Sequence, residues 1–115
     1  MDKIRNIIFY KSYFQEFYLQ QDENVRTKIN YVLKLIQTQR AIPAKFLKHI
    51  TGTAGLYEIR IAVGSDIYRI FCCNDKGAVV VLFNGFAKKA QKTPKAEIEK
   101  AKALMSEYFK NKRED

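Results

Sequence analysis

The sequence predicts a small α+β fold: an antiparallel β-meander with a strand and a helical hairpin before it and one closing helix after it. Three observations predict it. The chain has 115 residues, which fits one domain spanning 1–115, since a domain takes roughly 100–200 residues. It is 47% hydrophobic, with 8 Phe and 7 Tyr, too apolar for a disordered chain. And the apolar period changes after residue 50, from the 3.6 of helices to the 2 of strands.

Residues 4–10 (IRNIIFY) are rich in β-formers and read as a strand. Ser12 is the expected N-cap of a short helix, with Gln15 three residues on completing a capping box. Phe14, Phe17 and Tyr18 form its apolar face. Asp22 caps the next helix, in which Val25, Ile29, Val32, Leu33 and Ile36 recur at helical spacing and which ends before Pro43. The two make an αα-hairpin. After the Gly52/Gly55 loop, Tyr57, Ile59, Ile61 and Val63 alternate with Glu58, Arg60 and Ala62 as a half-buried strand. Gly64-Ser65-Asp66 is a turn, 67–73 (IYRIFCC) the next strand, 74–77 (NDKG) the next turn. Residues 78–84 (AVVVLFN) are apolar on both faces and belong inside the sheet. Thr93-Pro94 reads as an N-cap and first helical residue. Ile98, Ala101, Leu104, Met105, Tyr108 and Phe109 stripe the closing helix.

Several function classes are excluded at this level. No apolar run approaches the ~18 residues of a membrane span. MDKIRNIIFY carries charges on both sides of a very short apolar stretch, unlike a signal peptide, so a cytoplasmic protein is expected. Cys72 and Cys73 are adjacent and fall on opposite faces of a strand, so they do not pair. With one His and no CxxC there is no zinc constellation, and no glycine-rich phosphate motif is present. No metal and no cofactor are expected.

The net charge is +9, which suggests a polyanion or an acidic protein partner. Residues 1–39 carry a net +2 and residues 96–115 none, whereas residues 40–95 hold ten basic groups against three acidic ones. The excess therefore lies in the sheet half. A hairpin turning at residues 64–65 places Arg60 and Arg69 directly opposite each other, with Cβ atoms ~5 Å apart. Two like charges there are destabilising unless an anion bridges them or a carboxylate such as Glu58 pairs with one. Lys88, Lys89 and Lys92 follow the last strand, in a segment able to approach Arg69. His49 is the only side chain whose ordinary pKa lies near neutrality.

These residues carry a family pattern. L-Y-E-I-R at 56–60, Y-R-I-F at 68–71, G-F-x-K-K-x-x-K-T-P at 85–94 and E-I-x-x-A at 97–101 together resemble the sheet and final helix of the RelE/ParE toxin superfamily, most closely its phage-related HigB-like branch. The resemblance implies a small curved antiparallel sheet with an N-terminal helical hairpin and a C-terminal helix. It implies a type II toxin that cuts mRNA in the ribosomal decoding site and is neutralised by a helix-turn-helix antitoxin. By position, Arg69 matches the strand arginine that contacts the scissile phosphate, Arg60 a basic residue on the neighbouring strand, and Lys88 and Lys89 the basic residues after the last strand, while Lys92 lies in the branch's own K-T-P segment. Glu58 departs from the pattern, standing where some members have a lysine.

The implied chemistry is metal-free endoribonucleolytic attack by a ribose 2′-OH. It needs a base, charge stabilisation and an acid. Arg60 and Arg69 are expected to stabilise the phosphorane. Lys88, Lys89 or Lys92 are expected to move protons, with His49 as the alternative. Lys45, Lys48, His49 and Lys95 are expected to bind RNA. Two other activities suit the same fold: inhibition of DNA gyrase, as in ParE-like proteins, and RNA binding without cleavage.

Overall fold

The computed structural model describes residues 2–88 and 93–114. It contains β1 (Asn6–Phe9), α1 (Tyr13–Leu19), α2 (Glu23–Thr38), β2 (Leu47–His49), β3 (Leu56–Val63), β4 (Asp66–Asp75), β5 (Val79–Lys88) and α3 (Lys95–Glu114). The fold class is α+β, as the change of period predicts. The strands form one sheet in the order β1-β5-β4-β3-β2.

The meander β2–β5 is antiparallel throughout. β1 is not part of it: it pairs with β5 in parallel, Asn6 opposite Val79 and Phe9 opposite Leu82. The sheet is therefore mixed, where an antiparallel one was expected. α1 and α2 carry the chain across the sheet from the β1 edge to the β2 edge. β1 thus neighbours the last strand, a long-range pairing that no turn signal specifies.

The two helix starts of the hairpin differ. Asp22 is extended, and its carboxylate accepts the Val25 N–H at 3.0 Å, the geometry of an N-cap. Ser12 sits at φ −107°, ψ 5° and caps no backbone N–H. Its hydroxyl donates to Glu16 at 3.4 Å instead. Lys11 before it is left-handed, at φ 57°, and Ser12 does not take the extended conformation from which a cap reaches the N2 or N3 amide. The capping box with Gln15 is therefore absent.

The sheet is covered on both faces. On one, Val25, Ile29, Val32 and Ile36 of α2 and Phe14 and Phe17 of α1 pack on Ile59, Ile61, Ile70, Cys72 and Leu82. On the other, Ala101 and Leu104 of α3 pack on Leu56, Phe71, Cys73, Val81 and Phe83. The neighbouring cysteines thus belong to different cores. Both are free, and burial pushes both thiols up, Cys73 to about 12, so neither is a reactive thiolate.

The β4–β5 register shifts between Ile70 and Cys72, leaving Phe83 and Asn84 both opposite Phe71. This bulge re-aims the strand: Asn84 donates to the Glu97 carboxylate of α3 at 3.3 Å, and Phe86 stacks on Phe71 at 5.6 Å. It also sets Gly85 against Phe17, where an added Cβ would lie 2.6 Å from the ring. α3 is tied down at its far end. Asp75 accepts from the Tyr108 hydroxyl at 2.6 Å and from Lys112 at 2.7 Å. Hydrogen bonds from Lys112, Tyr108 and the Lys76 amide hold the Asp75 carboxyl down at about 2. Among the described residues no helix is long and apolar enough to cross a membrane.

Two outcomes are expected. Gly85→Ala overpacks the α1–β5 contact and should lower stability by about 1–3 kcal/mol, read as a lower urea midpoint with unchanged slope. The stabilisation from Asp75 is complete above its unfolded value of 3.8 and is lost as pH falls through about 2. Asp75→Asn should be less stable than wild type at pH 7 and should lack that acid limb in a pH titration followed by circular dichroism.

Candidate functional site

β3 and β4 are joined by a tight turn at Gly64–Ser65, with Gly64 at φ 61°, a conformation glycine adopts freely. The turn and the buried Ile59/Ile61/Ile70 face set the register, since a slip of one residue would carry these side chains away from the helical hairpin to the opposite face and bring the arginines under it. Arg60 lies directly opposite Arg69, as the spacing predicts, and Phe86 of β5 lies on the far side of Arg69. The neighbouring row is Lys48–Glu58–Phe71. Both rows occupy the sheet face that carries α3.

Arg69 is 4% exposed and Glu58 6%, and the two form an ion pair. The other Glu58 oxygen accepts from the Thr93 hydroxyl at 3.3 Å. Of the two anions that the Arg60/Arg69 spacing allowed, the internal carboxylate holds Arg69. Burial lowers the Arg69 pKa and Arg60 lowers it further, while Glu58 opposes both. Among the described residues the Arg69 Nε donor has no hydrogen-bond partner. Arg60 is half-buried and, among the described residues, makes no ion pair. Its backbone N–H donates to the Phe46 carbonyl at 2.9 Å. Its side chain borders an open depression of about 270 Å³ that Lys28, Lys45, Phe46, Ala62 and Ile67 also line.

The expected site residues divide into groups. Lys45 shares the depression with Arg60. Lys48 is exposed opposite Glu58. His49 pairs with Tyr57, packs edge-on to its ring at 5.2 Å and has Nε2 3.2 Å from the Thr53 carbonyl. One residue out of step with Lys48, it lies on the opposite face from the arginines. Lys88 closes β5 opposite Ile67, so the last strand runs four residues past its expected end at 84 and the lysine segment starts two residues beyond Phe86, the partner of Arg69. Lys89 and Lys92 lie outside the described residues. Lys95 is exposed as the first residue of α3. The helix begins one residue later than Thr93-Pro94 suggests: the Pro94 carbonyl accepts from Glu97 and Ile98, and Thr93 turns to Glu58 instead of capping. Among the described residues no three His, Cys, Asp or Glu side chains converge on a metal position.

The sequence offers Glu58 as a partner for one of the arginines, and the ion pair with Arg69 bears that out; it gives no sign of the part played by Lys28. The signal for Glu58 is a carboxylate diagonal to Arg69 across the hairpin. Lys28 carries none, because its approach to β3 depends on how α2 lies on the sheet.

A family model described as phage-derived protein Gp49-like (DUF891) matches residues 16–106. The chain belongs to the Gp49-like family. This is a RelE/HigB-type toxin family, in keeping with the resemblance carried by residues 56–104. The Gp49-like chain also shares its fold with chains of two solved RelE–RelB complexes. One is from Pyrococcus horikoshii OT3, at TM-score 0.54 and 14% identity, covering 71% of this chain and 92% of that one. The other is a RelB–RelE antitoxin–toxin complex from Methanococcus jannaschii, at TM-score 0.54 and 19% identity, covering 76% and 99%. No curated protein matches.

Removing one member of the buried pair strands the other. Glu58→Ala should cost about 3–5 kcal/mol. Glu58→Leu with Arg69→Leu should recover most of that loss, as measured by chemical denaturation of the single and double variants.

Proposed function

We propose that this Gp49-like protein is the toxin of a type II toxin–antitoxin pair and an endoribonuclease that cuts mRNA on the ribosome. The observation that carries the reading is the Arg60/Arg69 cross-strand pair, in which Glu58 balances one cation and leaves the other for an external anion. Membership of a RelE/HigB-type family and the shared fold support it.

In this reading a ribose 2′-OH attacks the adjacent phosphorus. The P–O5′ bond breaks, leaving a 2′,3′-cyclic phosphate and a 5′-OH. Arg60, the half-exposed member, stabilises the charge that builds on the phosphate oxygens. Arg69 stands directly behind it, held by Glu58. Proton transfer falls to the lysines that begin at Lys88, with Lys89 and Lys92. A lysine beside other cations loses its proton more readily than an isolated one. His49 is less suited, since it faces the other way and is engaged with Tyr57 and Thr53. The ribosome supplies much of the orientation of the mRNA. A helix-turn-helix antitoxin with an acidic segment would neutralise the basic rim of Arg60, Lys45, Lys48 and Lys95.

The buried Glu58–Arg69 pair favours one second reading, RNA binding without cleavage, because it withholds Arg69 from a phosphate. Induction of wild type and Arg60→Ala, followed by mapping of mRNA 5′ ends, separates the two. Arg60→Ala should keep its thermal stability, lose growth arrest and reduce new 5′ ends by about 10²-fold or more. Arg69→Ala is the poorer variant, because it leaves Glu58 buried without a partner. A folded, fully toxic Arg60→Ala protein would overturn the assignment. Growth arrest without new mRNA ends, accompanied by gyrase inhibition, would assign the fold its other activity.

A further inference from the structure

We propose that the depression beside Arg60 is a nucleotide subsite, taking the residue of a single-stranded RNA next to the one whose phosphate lies at Arg60. The inference rests on the RNA reading above and adds a place, a ligand unit and two residues, Lys28 and Phe46, that the RNA reading does not use.

Three cations from three parts of the chain line the depression: Lys28 from α2, Lys45 from the segment before β2, and Arg60 from β3. No carboxylate is among its lining residues. Like charges gathered this way repel, and a phosphate relieves the repulsion. Both lysines are held over aromatic rings, Lys45 above Phe46 at 4.9 Å and Lys28 above Tyr31 at 5.2 Å. The rest of the lining is apolar, from Phe46, Ala62 and Ile67. An aromatic ring among apolar side chains, rimmed by cations, suits a base that stacks while its phosphate stays at the rim.

The backbone supplies a further feature. β2 pairs with β3 only from Tyr57 to Ile59, and the Arg60 N–H then reaches the Phe46 carbonyl. Ala62, two residues on, turns its N–H and C=O to the same outer edge, where no strand pairs with it. It is exposed. A donor and an acceptor thus border the apolar floor, able to meet a base edge. Arg60 belongs both to the arginine pair and to the depression, so a strand bound at one continues into the other.

The test is the affinity of the full-length protein for a fluorescein-labelled single-stranded RNA of about eight nucleotides, within the usual span of such sites, measured across salt concentrations. Lys28→Ala and Lys45→Ala should each weaken binding several-fold and reduce the salt slope by about one. Phe46→Leu should weaken it about five-fold or more with the salt slope unchanged. Lys34→Ala, on α2 but away from the depression, should bind as wild type. Arg60→Ala weakened while Lys28→Ala, Lys45→Ala and Phe46→Leu bind normally would overturn the subsite and leave the RNA reading standing. Wild type that binds no RNA overturns both. Lysine losses seen only in ribosome binding, with oligonucleotide affinity intact, would overturn it in favour of a ribosomal RNA contact.

Discussion

Burial of the β4–β5 pair on both faces governs this structure. Val80 and Leu82 face the helical hairpin while Val81 and Phe83 face α3, and all four are buried. Strands covered on both sides have no solvent face on which to leave a polar group. Any charge they carry must be paired or lie where the cover ends. Arg69 is the one charged residue in the buried stretch of β4, and it meets the first condition through Glu58. Arg60, directly across the hairpin, meets the second. The division of labour between a buried, satisfied arginine and a half-open one follows from the layer geometry.

A buried ion pair contributes little net stability, because desolvation offsets most of the attraction. The Glu58–Arg69 pair does more for specificity of arrangement. It joins β3 to β4 diagonally and, through the Thr93 hydroxyl, ties the approach to α3 to the same point. The sheet, the hairpin turn and the entry to the last helix are thereby fixed around Arg60. A site whose supports are a strand register and a paired carboxylate holds its exposed cation more firmly than a loop would.

Much of this was legible in the sequence, and the exceptions share a cause. Strand alternation from Tyr57 to Val63, the Gly64 turn and the stripe from Ile98 to Phe109 are local patterns, and each element forms where its pattern lies. The opposition of Arg60 and Arg69 follows from the turn alone. What the sequence concealed depends on contacts distant along the chain. β1 joins β5 because two helices carry the chain across the sheet. Thr93 leaves its expected capping role because a carboxylate 35 residues away takes its hydroxyl. Ser12 fails as a cap because Lys11 enters the left-handed region, a choice that no side-chain type in the segment announces. Lys28 sits on an ordinary amphipathic helix, and only the docking of that helix brings it near β3.

The cysteine pair has a consequence of its own. Cys72 and Cys73 are consecutive, yet one thiol is sealed beneath the helical hairpin and the other beneath α3. The protein therefore carries two built-in chemical clocks, separated by a single peptide bond and set to different layers. Partial openings that lift one layer unmask one sulfur and leave its neighbour dark, whereas global unfolding unmasks both together. The order in which the two sulfurs meet an alkylating reagent thus records which side of the sheet lets go first.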